Sequence, residues 1–133
     1  MRLAESYAVA GDITAGLAAL DEALAWLTAI DGVGPKTAAI VLLFSLGRPA
    51  FPVDTHVHRV SLRLGLLPPR TNAVKAHDLL AALGPPPTYY AMHINLIRHG
   101  REICRARAPL CHICPLQDLC DYYQSGVVRA ADG

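Results

Sequence analysis

All four cysteines of this 133-residue chain fall within seventeen consecutive positions, as Cys104, Cys111, Cys114 and Cys120 with six, two and five residues between them. Met1-Arg2-Leu3 is followed by Glu5 and Asp12 rather than by a basic region, an apolar core and a small-residue cleavage site, so no secretory signal is visible and the expected location is cytoplasmic. Four thiols this close together in such a chain argue for a metal site over disulfides. Zinc accepts four cysteines, and so does a four-iron cluster; the spacing leaves both open. Arg101, Arg105 and Arg107 flank or occupy the first loop of the motif, where they can balance thiolate charge or hold a phosphate backbone.

The rest of the chain reads as all-α. Apolar residues recur at intervals of three and four, and almost nothing alternates with period two. Leu3 to Ala10 has the pattern of a helix end. Leu17, Leu20, Leu24 and Leu27 share a face across Thr14 to Ile30, with Asp21 placed to cap a second helix there. Gly32 and Gly34 end that segment, and Pro35 suits the first position of the next, which runs to Ser45. This segment is apolar all round, which predicts burial on every side. Its apolar core, Ala38 to Phe44, is far too short to span a membrane. Asp54 is placed to cap a helix carrying Val57, Val60, Leu62 and Leu64, closed by Pro68 and Pro69. Further helices are expected at about Asn72 to Leu83, about Thr88 to Ile103, and near Pro115 to Tyr123. The length suits one compact domain. Within it, the expected regions are 1–84, with a hairpin of helices at about 21–46, then 85–123, and a frayed tail at 124–133.

Lys36 is one of only two lysines beside ten arginines, and it directly follows Gly32-Val33-Gly34-Pro35. An amine can lose its proton and attack carbon near neutral pH; a guanidinium cannot. A place in the first turn of a helix, beside an apolar segment, favours the neutral amine through the helix dipole and desolvation. The Gly-Val-Gly turn leaves backbone N–H groups uncovered, which makes an anion site that a DNA phosphate fits. The helix after Lys36 carries the chain away by about 15 Å at roughly 1.5 Å per residue. Residues 47–53 can span up to about 23 Å when extended. Asp54 is therefore able to return beside Lys36.

Net charge is +1, but ten basic residues stand against three acidic ones between Gly34 and Arg107. An ordinary solvated surface explains that excess as well as a nucleic-acid footprint does. His56 and His58 lie about 200° apart around their helix and cannot share a metal. His56 is two residues from Asp54 and suits a supporting role there. His77, His93, His99 and His112 are expected to be structural, and Trp26, Tyr89 and Tyr90 to pack in the core or at its rim.

Three stretches together resemble the endonuclease III family of helix-hairpin-helix DNA glycosylases. They are Leu27 to Ala38 with its Asp-Gly-Val-Gly-Pro-Lys core, Phe51-Pro-Val-Asp-Thr-His-Val-His-Arg-Val60, and the cysteine quartet. The resemblance runs from about Ala23 to Tyr123. It implies an all-α fold, a helix-hairpin-helix glycosylase half-domain followed by a C-terminal iron-sulfur cluster loop. It implies a base-excision repair glycosylase with AP lyase activity on double-stranded DNA carrying a damaged base, oxidised pyrimidine being the family's default, or an abasic site. Residue by residue it implies Gly32, Val33 and Gly34 for the phosphate grip and Lys36 as the nucleophile that forms a Schiff base with the sugar C1′. Asp54 becomes the assisting carboxylate, Arg105 and Arg107 DNA contacts, and Cys104, Cys111, Cys114 and Cys120 the ligands of a [4Fe-4S] cluster. Monofunctional relatives such as adenine glycosylases lack an amine at this place, so Lys36 points to lyase activity. Family members carry a long helical region before the segment matching Met1, so self-association or a second chain is expected to complete the core. Two other readings are a binding module for DNA or abasic sites that does not turn over, and a zinc-stabilised interaction domain.

Overall fold

The computed structural model describes residues 13–46 and 49–127; the helix expected at Leu3 to Ala10 and the tail beyond Val127 lie outside the described residues. Helices and turns make up this part, with no strand among the described residues. None of its helices is long and apolar enough to cross a membrane. Contacts divide the chain into two compact units, Met1–Pro52 with Ala81–Tyr90 and Val53–Leu80 with Ala91–Gly133.

In the first unit, α1 spans Ile13–Thr28 without interruption. The break expected at Asp21 is absent. Asp21 and Glu22 lie on the exposed side while Leu20, Ala23, Leu24 and Leu27 pack on Ala39, Leu42 and Ala50. The apolar stripe continues at spacing three and four through Asp21, and that continuity outweighs one residue's preference for a cap. Trp26 takes the opposite side and is 70% exposed, against the expectation that it packs.

Thr28 ends α1 by turning its hydroxyl back to donate to the carbonyls of Leu24 and Ala25. Val33 N–H then bonds Ile30 O at 3.1 Å across a tight turn. Gly32 sits at φ +84, the left-handed region where a side chain is strained. Gly34 is the N-cap of α2, Pro35–Ile40, and Pro35 occupies its first turn as the sequence predicts. The helix does not continue regularly. Val41–Ser45 forms a π turn, closed by Leu46 N–H on Val41 O. Ala38, Ala39 and Leu42 are buried, but Phe44 is exposed, so this segment is buried on one side rather than on all. Phe44 meets the ring of Tyr90 at 5.2 Å, and Phe51 meets Tyr89 edge-on at 5.5 Å. Tyr89 is buried as expected, whereas Tyr90 remains exposed.

The second unit is built on α3, Thr55–Leu64. Asp54 caps it, accepting the Val57 N–H at 2.7 Å, and Val57, Val60 and Ser61 face inward. Closure comes at Gly65, left-handed at φ +87, ahead of the prolines expected to do it. Asn72 caps α4, Ala73–Ala81, by accepting the Lys75 N–H, and Ala76 and Leu80 turn inward. The following helix α5, Tyr89–Glu102, buries His93, Leu96 and Gly100. A Cβ at Gly100 would stand 3.1 Å from both His56 Cβ and Val60 Cγ2. Glycine here therefore sets how closely α5 crosses α3. After Cys104 the chain runs through two 3-10 turns, Cys111–Ile113 and Gln117–Leu119, into the short α6, Asp121–Gln124, in place of the single helix expected near Pro115 to Tyr123.

Candidate metal centre and hairpin

The four cysteines converge. Cys104, Cys111, Cys114 and Cys120 line one apolar cavity together with Leu64, His99, Ile103, Gln117, Tyr122 and Tyr123. Each is half-buried and unpaired as a disulfide. Cys104 leaves the end of α5 with its N–H on His99 O at 2.8 Å. Gln117 fixes the middle of the loop by donating to Cys111 O, and Leu116 N–H points at Cys114 Sγ at 3.4 Å.

The four thiols face one space, and four thiolates are the donor set that both zinc and a four-iron cluster take. Burial pushes the Cys111 thiol above its ordinary range, the other three cysteines add to that, and Arg63 opposes it. Four thiolates here need the compensating positive charge that a bound metal centre would supply.

Two arginines that the sequence pattern did not single out hold this loop. Arg59 and Arg63 lie one turn apart on α3. Arg59 donates to Gly100 O at 2.9 Å and to Cys104 O at 3.1 Å, occupying carbonyls at the end of α5. Arg63 donates to Arg105 O at 2.7 Å, to Ala106 O at 3.2 Å and to Cys104 Sγ at 3.4 Å, and its guanidinium lies 5.0 Å from the centre of the Tyr122 ring. The basic excess in mid-sequence is thus partly spent inside the fold. Arg105 and Arg107, expected beside the thiols or on phosphate, are exposed, and Arg105 donates to Ala108 O at 3.2 Å; Arg101 is exposed as well.

His99, expected to be only structural, lines the cavity with Nε2 3.7 Å from Cys114 Sγ, and burial holds its pKa below the ordinary histidine value. His58 and His56 go separate ways, as their spacing requires. Nε2 of His58 meets Thr71 O at 2.6 Å, and Nδ1 of His56 meets Arg59 at 3.1 Å.

In the first unit, Lys36 stands in the opening turn of α2, directly behind the Gly32 turn and Gly34. Its side chain is exposed, so the apolar segment beside it does not desolvate it as expected. Asp54 belongs to the second unit, where it is half-buried and spends Oδ1 on its cap.

The family model for the iron-sulfur binding domain of endonuclease III matches residues 104–120, the full span of the cysteine motif. An endonuclease III from Rickettsia prowazekii is 46% identical over 97 residues, which cover 73% of this chain and 45% of that protein. The chain belongs to the endonuclease III family. Endonuclease III of Sulfolobus acidocaldarius is 37% identical over 102 residues, covering 77% of this chain and 46% of its own length. A solved endonuclease III–DNA covalent intermediate, in an estranged-adenine complex, superposes with TM-score 0.71 at 37% identity, covering 80% of this chain and 48% of that one. The chain therefore spans about half the length of the endonuclease III proteins it matches. The all-α fold is that of the family, and the cofactor of the matched domain is a [4Fe-4S] cluster.

Proposed function

We propose that this chain acts in DNA base-excision repair as a glycosylase with AP lyase activity, on double-stranded DNA that carries a damaged base, of the oxidised-pyrimidine class, or an abasic site. One observation carries the reading: in an endonuclease III chain, Lys36 presents an exposed amine in the first turn of α2, immediately behind the Gly32 turn. Lys36 Nζ attacks C1′ of a nucleotide flipped out of the stack, and the base departs with the bonding pair and a proton. Loss of a proton from nitrogen and opening of the sugar give an imine. Its protonated nitrogen acidifies the C2′ hydrogen, and removal of that proton expels the 3′ phosphate. Water then hydrolyses the imine and frees Lys36.

Asp54 is the carboxylate assigned to assist, through Oδ2, while Oδ1 serves the cap. Backbone N–H groups of Gly32, Val33 and Gly34 are assigned to a DNA phosphate, and Arg105 and Arg107 to the backbone further along. Cys104, Cys111, Cys114 and Cys120 are assigned as ligands of the cluster, supported by the cavity they share and by the iron-sulfur domain model that spans them. The cluster supplies structural cross-linking of the loop that presents Arg105 and Arg107.

An end-labelled duplex with one abasic site tests the reading. Incision that leaves a 3′ unsaturated aldehyde end, absent with Lys36→Ala, is expected. Tight binding to that duplex without incision would replace the enzyme by a binding module of the same family.

A further inference from the structure

Arg63 touches the cysteine motif at both of its ends. Its Nη1 reaches Cys104 Sγ at 3.4 Å and Arg105 O at 2.7 Å, and its Nη2 reaches Ala106 O at 3.2 Å. From the other end of the motif, the Cys120 thiol donates to the Arg63 carbonyl at 3.4 Å. Ligation would remove that thiol proton, so the guanidinium contacts are the ones that persist in a loaded protein. Tyr122, two residues after the last cysteine, lies under the guanidinium with its ring centre 5.0 Å away.

We propose that Arg63 is a positioning residue for the cluster: its fork ties the first cysteine to the end of α3, and its N–H donated to sulfur sets how firmly the cluster is held and how readily it is reduced. The inference rests on the cluster assignment above. Two properties of the group support it. A cation that donates to a ligand sulfur offsets the extra negative charge of the reduced cluster, so the potential rises with the bond and falls without it. Three acceptors spread over three residues also require a planar fork with several N–H groups, which a lysine ammonium does not reproduce.

Anaerobically purified wild type, Arg63→Gln, Arg63→Lys and, as a control remote from the thiols, Arg98→Gln are compared for iron content, rate of iron release to a chelator, cluster potential and far-ultraviolet helix signal. Wild type and Arg98→Gln should hold iron alike. Arg63→Gln should release iron roughly tenfold faster or more, with a lower potential and an unchanged helix signal. Arg63→Lys, which keeps charge but not the fork, should fall between. If Arg63→Gln is helical but carries no iron, the holding role stands, and the lysine variant tests the potential: equality with wild type would then overturn the redox part. Release and potential both unchanged in Arg63→Gln would overturn the whole inference. A wild type without iron would instead end the cluster assignment.

Discussion

Asp54 Oδ1 accepts the backbone N–H of Val57 at 2.7 Å, so the carboxylate assigned to catalysis also starts helix α3. The two roles separate by substitution. Asn keeps an acceptor at the N-cap, whereas Ala removes it at a cost of about 1 kcal/mol. Chemical denaturation should show Asp54→Ala destabilised by about that much and Asp54→Asn nearly unchanged. Both should lose incision. An Asp54→Asn protein with full incision activity would leave Asp54 as a cap only.

Gly65 closes α3 at φ +87, and a Cβ there would collide with the Asp121 carboxylate, next to Cys120. Gly65→Ala should therefore cost roughly 1–2 kcal/mol through its left-handed backbone alone. Moving Asp121 should also disturb the last cysteine, so the variant should hold less iron per chain than wild type after identical loading.

Burial holds the Tyr89 hydroxyl above its ordinary value of 10.0, and that hydroxyl donates to Ala81 O. A raised pKa in the folded state means that the protonated form is the one the fold favours. The contribution is fully present below the unfolded value and is lost as pH rises through the folded one. Thermal unfolding followed from pH 7 upward should thus show a loss of stability beginning near pH 10 that Tyr89→Phe lacks. At neutral pH the phenylalanine variant should be less stable by about 1 kcal/mol for the missing hydrogen bond.

Local signals carried much of the fold. Pro35 at the head of α2 and Asp54 at the cap of α3 act within a turn of themselves, so their neighbours in sequence suffice to place them. The meeting of the four cysteines followed from thiol chemistry in a short span. Arg59 and Arg63 were not legible, because their acceptors at Gly100, Cys104 and Arg105 lie some forty residues on and only the crossing of α5 over α3 brings them near. A signal was present in hindsight: two arginines one turn apart on a helix whose other side is valine. Trp26 misled for a related reason, since composition says that tryptophan is usually covered, whereas the stripe from Leu20 to Leu27 leaves it on the outer face. The π turn at Val41–Ser45 has no marker in an unbroken apolar run.

If Arg105 and Arg107 hold phosphates, replacing each by Ala should weaken binding to all DNA sequences alike. The slope of log affinity against log salt should shrink by about 1 per residue removed. Both are exposed, so thermal stability should barely change. An unchanged salt slope in the double variant, measured by fluorescence anisotropy on abasic and intact duplexes, would remove them from the DNA surface.

Lys36 is the residue assigned to form a covalent imine with the sugar at C1′. Borohydride reduction during incubation with an abasic duplex fixes such an imine as a stable amine, and digestion with mass spectrometry then locates the modified residue. An adduct is expected on the peptide containing Lys36, present with Arg98→Gln and absent with Lys36→Ala. Borohydride-dependent adduct formation that persists in Lys36→Ala, or an adduct mapped to Lys75, would contradict it.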